Sequence, residues 1–279
     1  MWKTTTMLRP RWHHLAAASC LVAATTAQAA TIKFGDFSDT SLLTLNGSAA
    51  TTTTADGTVL RLTPASGGQS GSAFSSATIN ASNFSTFFSF RITDPGGTIF
   101  DCNSEPGADG IVFVAQAVSS SIGGSGLGIG YSGISPSVGV ELDTWCNASN
   151  NDPSSNHLGI DLNGVVNHGP GSPFTANVSP NFDDGNIWYT WIDYDGATME
   201  VRANQTGNRP LLPTLTRDLD LSSLLGQDTA YVGFTSGTGL DWGNHDILTW
   251  EYRDRFDPIP APPAALLVLT GLLGLWRRR

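Results

Sequence analysis

The chain has 279 residues, with 14 basic and 24 acidic side chains and a formal net charge of −10. The segments 1–29 and 258–279 carry six of the basic residues and none of the acidic ones, so the part between them has a net charge of −16. Because such a surface repels phosphate backbones and the interior has no Lys/Arg cluster, the composition argues against nucleic acid as a partner.

The first segment, residues 1–29, has the pattern of a secretory signal peptide. Three basic residues precede the apolar run LAAASCLVAATTAQA, which ends in the small-x-small motif Ala27-Gln28-Ala29. We therefore expect cleavage near Ala30 and export of the mature chain.

The interior reads as a series of strands. Short alternating runs recur, separated by Gly, Asn, Asp or Pro clusters: STFFSFRI, GIVFVAQ, GVELDTW, WYTWIDY, TMEVRA, AYVGFTS and DILTWEY. Residues 194–197 predict a tight hairpin, and LSSLL at 221–225 is the one plausible helical turn. The predicted fold is therefore an all-β sandwich of antiparallel strands in a single domain, residues 30–256, with Trp188, Trp191 and Trp250 in the core.

Metal-binding residue types are concentrated in the segment ELDTWCNASNNDPSSNH. Glu141 and Asp143 lie two positions apart on a predicted strand, so both carboxylates project to one face. Further candidates follow at Asn147, Asp152 and His157. A single imidazole with carboxylates suits a manganese-like or zinc-like ion, whereas carboxylate, amide and backbone oxygens suit calcium. The alternative is a polar β-turn with a surface histidine.

The same segment resembles the metal loop of legume-type (L-type) lectins. The resemblance lies in the spacing E-x-D-x-aromatic-x-N-x4-D-P-x3-H, followed by LGIDLNGV. It extends, in the family's order, to FFSFRITD, GADGIVFVAQ and GGSGLGIGYSGI upstream and to LDLSSLLGQDTAYVGFTSGTGLDWGNHDILTWEY downstream. It covers roughly residues 32 to 254 and implies a concanavalin-like jelly roll.

The resemblance also implies two metal ions. In the lectin pattern the first acid and the histidine bind the transition metal, and the two aspartates bridge both ions. Carried over position by position, this implies Glu141 and His157 for Mn²⁺ or another transition metal, Asp143 and Asp152 as bridges, and Asn147 and the Trp145 carbonyl for Ca²⁺.

The sugar site of this family lies beside the calcium and contains an aspartate that follows a cis peptide bond. That aspartate matches Asp109, after Ala108 in GADG. From the residues alone, Asp109 would instead be part of a turn before the strand IVFVAQ. The other implied sugar contacts are the Gly126 backbone, the Trp145 ring, the Asn147 amide, and Leu240 and Asp241 in the loop that tunes monosaccharide choice. The loop sequence does not distinguish among glucose, mannose and galactose as the preferred sugar.

Two cysteines remain after removal of the signal segment, Cys102 and Cys146. Because oxidising compartments favour disulfides, we expect an exported chain to pair them. Both residues flank the expected site.

The function implied is a secreted carbohydrate-binding protein of adhesion or extracellular matrix, with glycans or polysaccharide as partners. One alternative is a structural surface or biofilm protein that binds no sugar. Another is a laminarinase-type glycoside hydrolase, which carries E-x-D-x-E or E-x-D-x-x-E on one strand. Here Trp145 and Cys146 stand where the second glutamate belongs. Since retaining hydrolysis needs two carboxylates about 5–5.5 Å apart, we expect no enzyme activity and no catalytic residue.

Residues 257–279 form a separate C-terminal segment. A Pro-rich spacer leads to thirteen apolar residues, 264–276, and three terminal arginines. This is short for a membrane span of about 20 residues. The layout resembles the PEP-CTERM sorting signals that exosortases process in Gram-negative bacteria, with Pro-Ala-Pro at 260–262 in place of Pro-Glu-Pro. We expect transient membrane tethering, an exosortase-type partner and a cell-surface or extracellular location; a permanent tail anchor is the alternative.

Overall fold

The computed structural model describes Met1 and residues 31–98, 101, 106–123 and 128–261. Within these residues the chain forms strands β1 (Thr31–Phe34), β2 (Leu43–Gly47), β3 (Ala50–Thr54), β4 (Gly57–Thr63), β5 (Ser70–Ser75), β6 (Ile79–Asn80), β7 (Phe84–Gly97), β8 (Gly110–Gln116), β9 (Ser137–Asp143), β10 (His157–Leu162), β11 (Thr175–Asn177), β12 (Trp188–Tyr194), β13 (Thr198–Asn204), β14 (Leu215–Asp218), β15 (Thr229–Gly237) and β16 (Asp241–Arg253). One α-helix, α1 (Leu221–Leu225), and a 3-10 turn (Ala148–Asn150) complete these elements.

The strands form two sheets. The back sheet has the order β14-β13-β12-β7-β16-β4-β3, and β1 pairs with β16. The front sheet has the order β11-β10-β9-β8-β15-β5-β2, and β6 pairs with β15. Neighbouring strands are antiparallel throughout. The predicted all-β antiparallel sandwich is therefore confirmed.

The main core lies between the two sheets and is rich in aromatic rings. Phe234 of the front sheet makes edge contacts with Phe88 and Trp250 of the back sheet, each with ring centroids 4.9 Å apart. Burial of such a side chain stabilises the fold by about 1.5–3 kcal/mol. The predicted burial of the tryptophans holds for Trp188 and Trp250 in this core and for Trp191 in a smaller cluster against Ile259.

Strand β8 of the front sheet is buried on both faces. Ile111 and Phe113 point into the main core, whereas Val112 and Val114 pack under Tyr131 in a second cluster outside the sheet. Because both faces are covered, its sequence GIVFVAQ is apolar almost without alternation. The loop that carries Tyr131 thus covers part of the outer face of the front sheet.

Two local predictions are confirmed. Between β12 and β13 the chain turns tightly, and the Asp195 carboxylate accepts hydrogen bonds from the backbone nitrogens of Ala197 and Thr198, both at 2.8 Å. The LSSLL segment is α1, capped by Asp220, which accepts a hydrogen bond from the third residue of the helix.

The expectations for the two ends of the chain stay predictions. Residues 2–30 and 262–279 lie outside the described residues, and with them the expected signal segment and most of the sorting tail. In the part of the chain that the structure describes, no helix is both long and apolar enough to cross a membrane.

Candidate functional site

The predicted site residues meet at one end of the front sheet. His157 of β10 and Gly110 of β8 both lie opposite Asp143, the last residue of β9. On the other side of β8, the backbone nitrogen of Asp109 donates to the carbonyl of Gly237, where β15 ends, at 3.1 Å. Because neighbouring strands run antiparallel, the starts of β8 and β10 and the ends of β9 and β15 lie at the same end of the sheet.

Strand parity places the acidic residues on the outer face of the front sheet. The aliphatic residues of β9 and β10 belong to the main core, so Glu141, Asp143, His157 and Asp161 project the other way. Gly159 lies directly opposite Glu141, and a Cβ atom there would overlap the Glu141 carboxylate. A glycine at 159 thus leaves the space that this carboxylate occupies.

Two overlapping groups of side chains could hold metal ions. One consists of Glu141, His157 and His168, and the other of Asp143, Asp152 and His157. Within each group, one possible ligand atom per residue lies within 4.8 Å of the others. The side chains of Glu141 and His157 are 1% and 0% exposed. The structure therefore brings together the four predicted transition-metal and bridging residues.

Backbone nitrogens of the loop after β9 donate to the carboxylates of Asp143 and Asp152. The Trp145 nitrogen donates to Oδ1 of Asp143 at 2.6 Å, and the Asn147 nitrogen donates to Oδ2 of Asp152 at the same distance. The 3-10 turn Ala148–Asn150 then leads the chain back to Asp152. These hydrogen bonds orient the two carboxylates beside the predicted calcium ligands.

The electrostatics of the cluster fit a divalent cation. Burial favours neutral Glu141, but the hydrogen bond from His157 and the nearby imidazole of His168 outweigh it and lower the pKa of Glu141 to about 2. Burial, followed by repulsion from Glu141 and Asp152, raises the pKa of Asp143 well above its ordinary value. Burial also raises the pKa of Asp152 to about 6. Buried carboxylates that repel each other are the donor set that a positive ion would stabilise.

Sequence reasoning missed His168, whose Nε2 lies 2.7 Å from Glu141 Oε1 and whose Nδ1 lies 3.3 Å from Oδ1 of Asp161. The available signal was Asn163-Gly164. Both residues have positive φ, 57° and 68°, as a two-residue type I′ turn requires. The chain therefore reverses after β10, and His168 returns beside it.

Asp109, the predicted sugar ligand, follows a cis peptide bond from Ala108, as the resemblance implied. Its carboxylate is buried, and Oδ2 has no hydrogen-bond partner among the described residues. Burial, and then the charge of Asp241, raises the pKa of Asp109 to about 7. Asp241 in turn accepts a hydrogen bond from the Thr98 nitrogen at 2.9 Å. The two aspartates thus lie side by side at the site.

The other predicted sugar contacts differ in exposure. Leu240 is 64% exposed, whereas Trp145 is 8% and Asp241 1% exposed. Asn147 is half-buried. Gly126 lies outside the described residues. Leu240 is therefore the large apolar side chain that the described part of the predicted sugar site presents to solvent.

The predicted disulfide involves a residue that the structure does not describe. Cys102 lies outside the described residues, so its pairing with Cys146 stays a prediction. Cys146 itself is buried, and its nitrogen donates to Oδ2 of Asp101 at 3.1 Å. This hydrogen bond already ties the segment before Asp109 to the metal loop.

Curated proteins resemble this chain over about two thirds of its length. The L-type lectin-domain containing receptor kinase VIII.1 of Arabidopsis thaliana is 34% identical over 180 residues, which is 62% of this chain and 24% of that protein. The galactose-binding lectin of Arachis hypogaea is 32% identical over 186 residues, 64% of this chain and 63% of that lectin. The chain thus spans about a quarter of the length of the first relative and less than two thirds of the second.

Solved structures resemble the whole sandwich. Basic winged bean lectin with Tn-antigen matches with a TM-score of 0.65 and 26% identity over 81% of this chain and 98% of that one. Peanut lectin with a 9mer peptide matches with a TM-score of 0.62 and 26% identity over 81% and 97%. These matches confirm the predicted jelly roll.

The sequence profile of the legume lectin domain matches residues 29–266. Because that family is non-enzymatic, the match confirms the expectation that the chain is not an enzyme. This chain belongs to the legume lectin domain family.

Proposed function

We propose that the chain is an exported lectin that binds carbohydrate at the exposed end of the front sheet, beside a two-metal site. The observation that carries this proposal is the Asp109 carboxylate. Its Oδ2 is buried without a hydrogen-bond partner in the described part of the chain, next to a cluster of metal-binding side chains. An unsatisfied buried acceptor is costly, so an outside donor such as a sugar hydroxyl would stabilise it.

In this proposal two ions organise the site. Glu141 and His157 hold a transition metal such as Mn²⁺, and Asp143 and Asp152 bridge it to Ca²⁺. Asn147 and the carbonyl of Trp145 complete the calcium ligands. The support is the donor set described above, in which burial, and then repulsion from neighbouring carboxylates, raises the pKa of Asp143. Both ions supply positive charge that holds the loop in place for sugar binding.

The sugar is held by three kinds of contact. The Asp109 carboxylate accepts hydrogen bonds from hydroxyls, each worth about 1.5–3 kcal/mol because the acceptor is charged. The Asn147 amide donates to the same sugar. Leu240, 64% exposed, covers an apolar face of the ring. The galactose-binding lectin of Arachis hypogaea, 32% identical to this chain, makes galactosides the first sugars to test.

A structural role without sugar binding is the second candidate. The burial of Asp109 and Trp145, 4% and 8% exposed, favours it, because neither side chain offers a broad face to a ligand. In this alternative the metals stabilise the loop of a surface or biofilm protein.

A glycan array with the purified chain separates the two candidates. We expect binding to at least one glycan class when calcium and manganese are present, loss of that binding after chelation, and recovery when both ions return. A fully metal-loaded chain that binds no glycan would support the structural role.

We also propose that the chain is exported by a bacterium and reaches the cell surface or the extracellular matrix. The support is the signal-like segment 1–29 and the C-terminal segment 257–279, which resembles a sorting signal. An exosortase-type enzyme is the proposed processing partner of that tail.

A further inference from the structure

We propose that His168 is a direct ligand of the transition metal, so that this site contains two imidazoles and prefers a zinc-type ion to manganese. The inference rests on the proposed two-metal site and changes its composition. It concerns a residue outside the metal loop 141–157, supplied by the hairpin that follows β10.

The donor atoms of three side chains converge on one point. Nε2 of His157 and Nε2 of His168 lie 3.1 and 2.7 Å from the same oxygen, Oε1 of Glu141. Ligands bound about 2.0–2.1 Å from a common ion lie about 2.9–3.4 Å from one another. The observed spacing is therefore close to that of three ligands around one ion.

The short distance between His168 and Glu141 is not accompanied by a good hydrogen bond. Within the part of the chain that the structure describes, Nε2 of His168 makes no hydrogen bond, although it is buried and 2.7 Å from Oε1. The second oxygen of Glu141, Oε2, also lacks a partner among the described residues. Both groups thus keep a polar atom without a partner in the described part of the chain, as two ligands of one metal ion would.

In both imidazoles an oxygen lies near Nδ1. Nδ1 of His157 lies 3.0 Å from the carbonyl of Ser154, and Nδ1 of His168 lies 3.3 Å from Oδ1 of Asp161. In metal sites, a backbone carbonyl or carboxylate typically holds the N–H of a histidine in this way, which leaves the other nitrogen free for the metal. His168 therefore has the same supporting contact that His157 has.

The backbone keeps His168 in place. Its nitrogen donates to the carbonyl of Asn150 in the metal loop at 3.0 Å, and its side chain is 3% exposed. The hairpin is also fixed where the Gly133 nitrogen donates to the carbonyl of Gly164 at 2.9 Å. Besides its contact with Glu141, His168 lines a cavity of about 240 Å³ together with Asp161 and Arg217.

The second imidazole changes the metal preference. Carboxylates and water suit manganese, whereas imidazole nitrogen suits zinc, copper, iron and nickel. A site that has one glutamate and two imidazoles in addition to the bridging aspartates has more nitrogen ligands than a site with a single histidine. Most such sites already bind zinc more tightly than manganese, and we expect His168 to widen that difference.

X-ray absorption spectroscopy of the zinc-loaded, otherwise unaltered chain counts the imidazoles directly. We expect two imidazoles per zinc ion in the wild type and one in His168→Gln. Isothermal titration should give a zinc affinity at least tenfold lower for His168→Gln, with manganese affinity changed less than about threefold. Val165→Ala, in the same hairpin and 55% exposed, is the matched control and should leave both affinities unchanged.

One imidazole per zinc in the wild type would overturn the inference, and so would an unchanged zinc affinity in His168→Gln. The wild-type spectrum answers the question even if a variant fails to fold. If the wild type binds calcium and glycans but holds zinc through His157 alone, only the role of His168 is wrong. If the wild type binds no transition metal at all, the proposed two-metal site fails together with this inference.

Discussion

The backbone nitrogen of Gly110 donates a hydrogen bond to Nε2 of His245, at 3.3 Å, immediately after Asp109 in the chain. The other ring nitrogen of His245 lies 2.7 Å from Oγ1 of Thr63. Thr63 is 3.0 Å from the hydroxyl of Ser236, and that hydroxyl donates to the carbonyl of Gly110 at 2.8 Å. These groups form a closed ring of hydrogen bonds that fixes Gly110, and therefore the chain next to Asp109.

The ring of hydrogen bonds requires neutral His245. Because Nε2 accepts from Gly110, Nδ1 carries the proton and donates to Thr63. Burial, and then the positive charge of Arg61, lowers the pKa of His245 to about 3. His245 thus has a structural role beside the site.

Replacing His245 with leucine should destabilise the fold by about 1–3 kcal/mol, because the Gly110 nitrogen and the Thr63 hydroxyl lose their partner in a buried site. Urea unfolding measures the loss. Thr63→Val breaks the same ring of hydrogen bonds at another member. The double variant should therefore lose less free energy of unfolding than the sum of the losses in the two single variants. Additive losses would mean that the ring is not one cooperative unit.

The stability of the metal-free chain should fall as the pH rises from 5 to 7. Burial raises the pKa of Asp109 to about 7 and that of Asp152 to about 6, from an ordinary 3.8. At these two carboxyls the folded state binds more protons than the unfolded state in this range, and their advantage is lost as the pH rises through the folded pKa values. His245, whose pKa burial lowers to about 3, acts in the opposite direction, but it is one group against two. Thermal melts at several pH values measure the trend. A rise in stability over this range would contradict it, and Asp109→Asn should flatten it.

Asp143→Ala should abolish the stabilisation of the fold by calcium. Asp143 bridges both ions in the proposed site, so its loss removes a ligand from each. In the wild type we expect the melting temperature to rise when calcium and manganese are added to the stripped chain. In Asp143→Ala we expect little or no rise. An equal rise in both proteins would place the ions elsewhere.

If the tail is a sorting signal, mass spectrometry of the protein in its native host should find no peptide from residues 266–279. A sorting signal is cut off during processing, and thirteen apolar residues are in any case few for a stable permanent span. Recovery of the intact C-terminus in a membrane fraction would favour a permanent anchor instead.

Much of the site could be predicted because it depends on local parity and spacing. Glu141 and Asp143 share a face simply because they are two positions apart on a strand, and the family spacing added His157. His168 could not be found in the same way, because its approach to Glu141 depends on a reversal at Asn163-Gly164 and on the placement of the returning chain. An Asn-Gly pair predicts the turn, but it does not say which residue faces the cluster.

The burial of the predicted sugar-contacting side chains could not be predicted from the sequence pattern either. Trp145 was expected to offer a stacking face, yet it is 8% exposed, since burial depends on which loops cover a strand end. The same holds for Asp109, whose unpartnered oxygen becomes visible only when β8, β15 and β16 are assembled. These environments depend on the pairing of strands that are far apart in the sequence, and a local sequence pattern does not reveal that pairing.

The most direct test of sugar binding by this site is the affinity of Asp109→Asn for the best glycan of the wild type, measured by calorimetry with both metals present. The amide keeps the shape but loses the charge, so we expect binding at least tenfold weaker. Asp228→Asn makes the same chemical change at an exposed position just before the opposite end of β15, and it should bind like the wild type. Equal affinity of Asp109→Asn and the wild type, with fold and metals intact, would contradict a sugar site at Asp109.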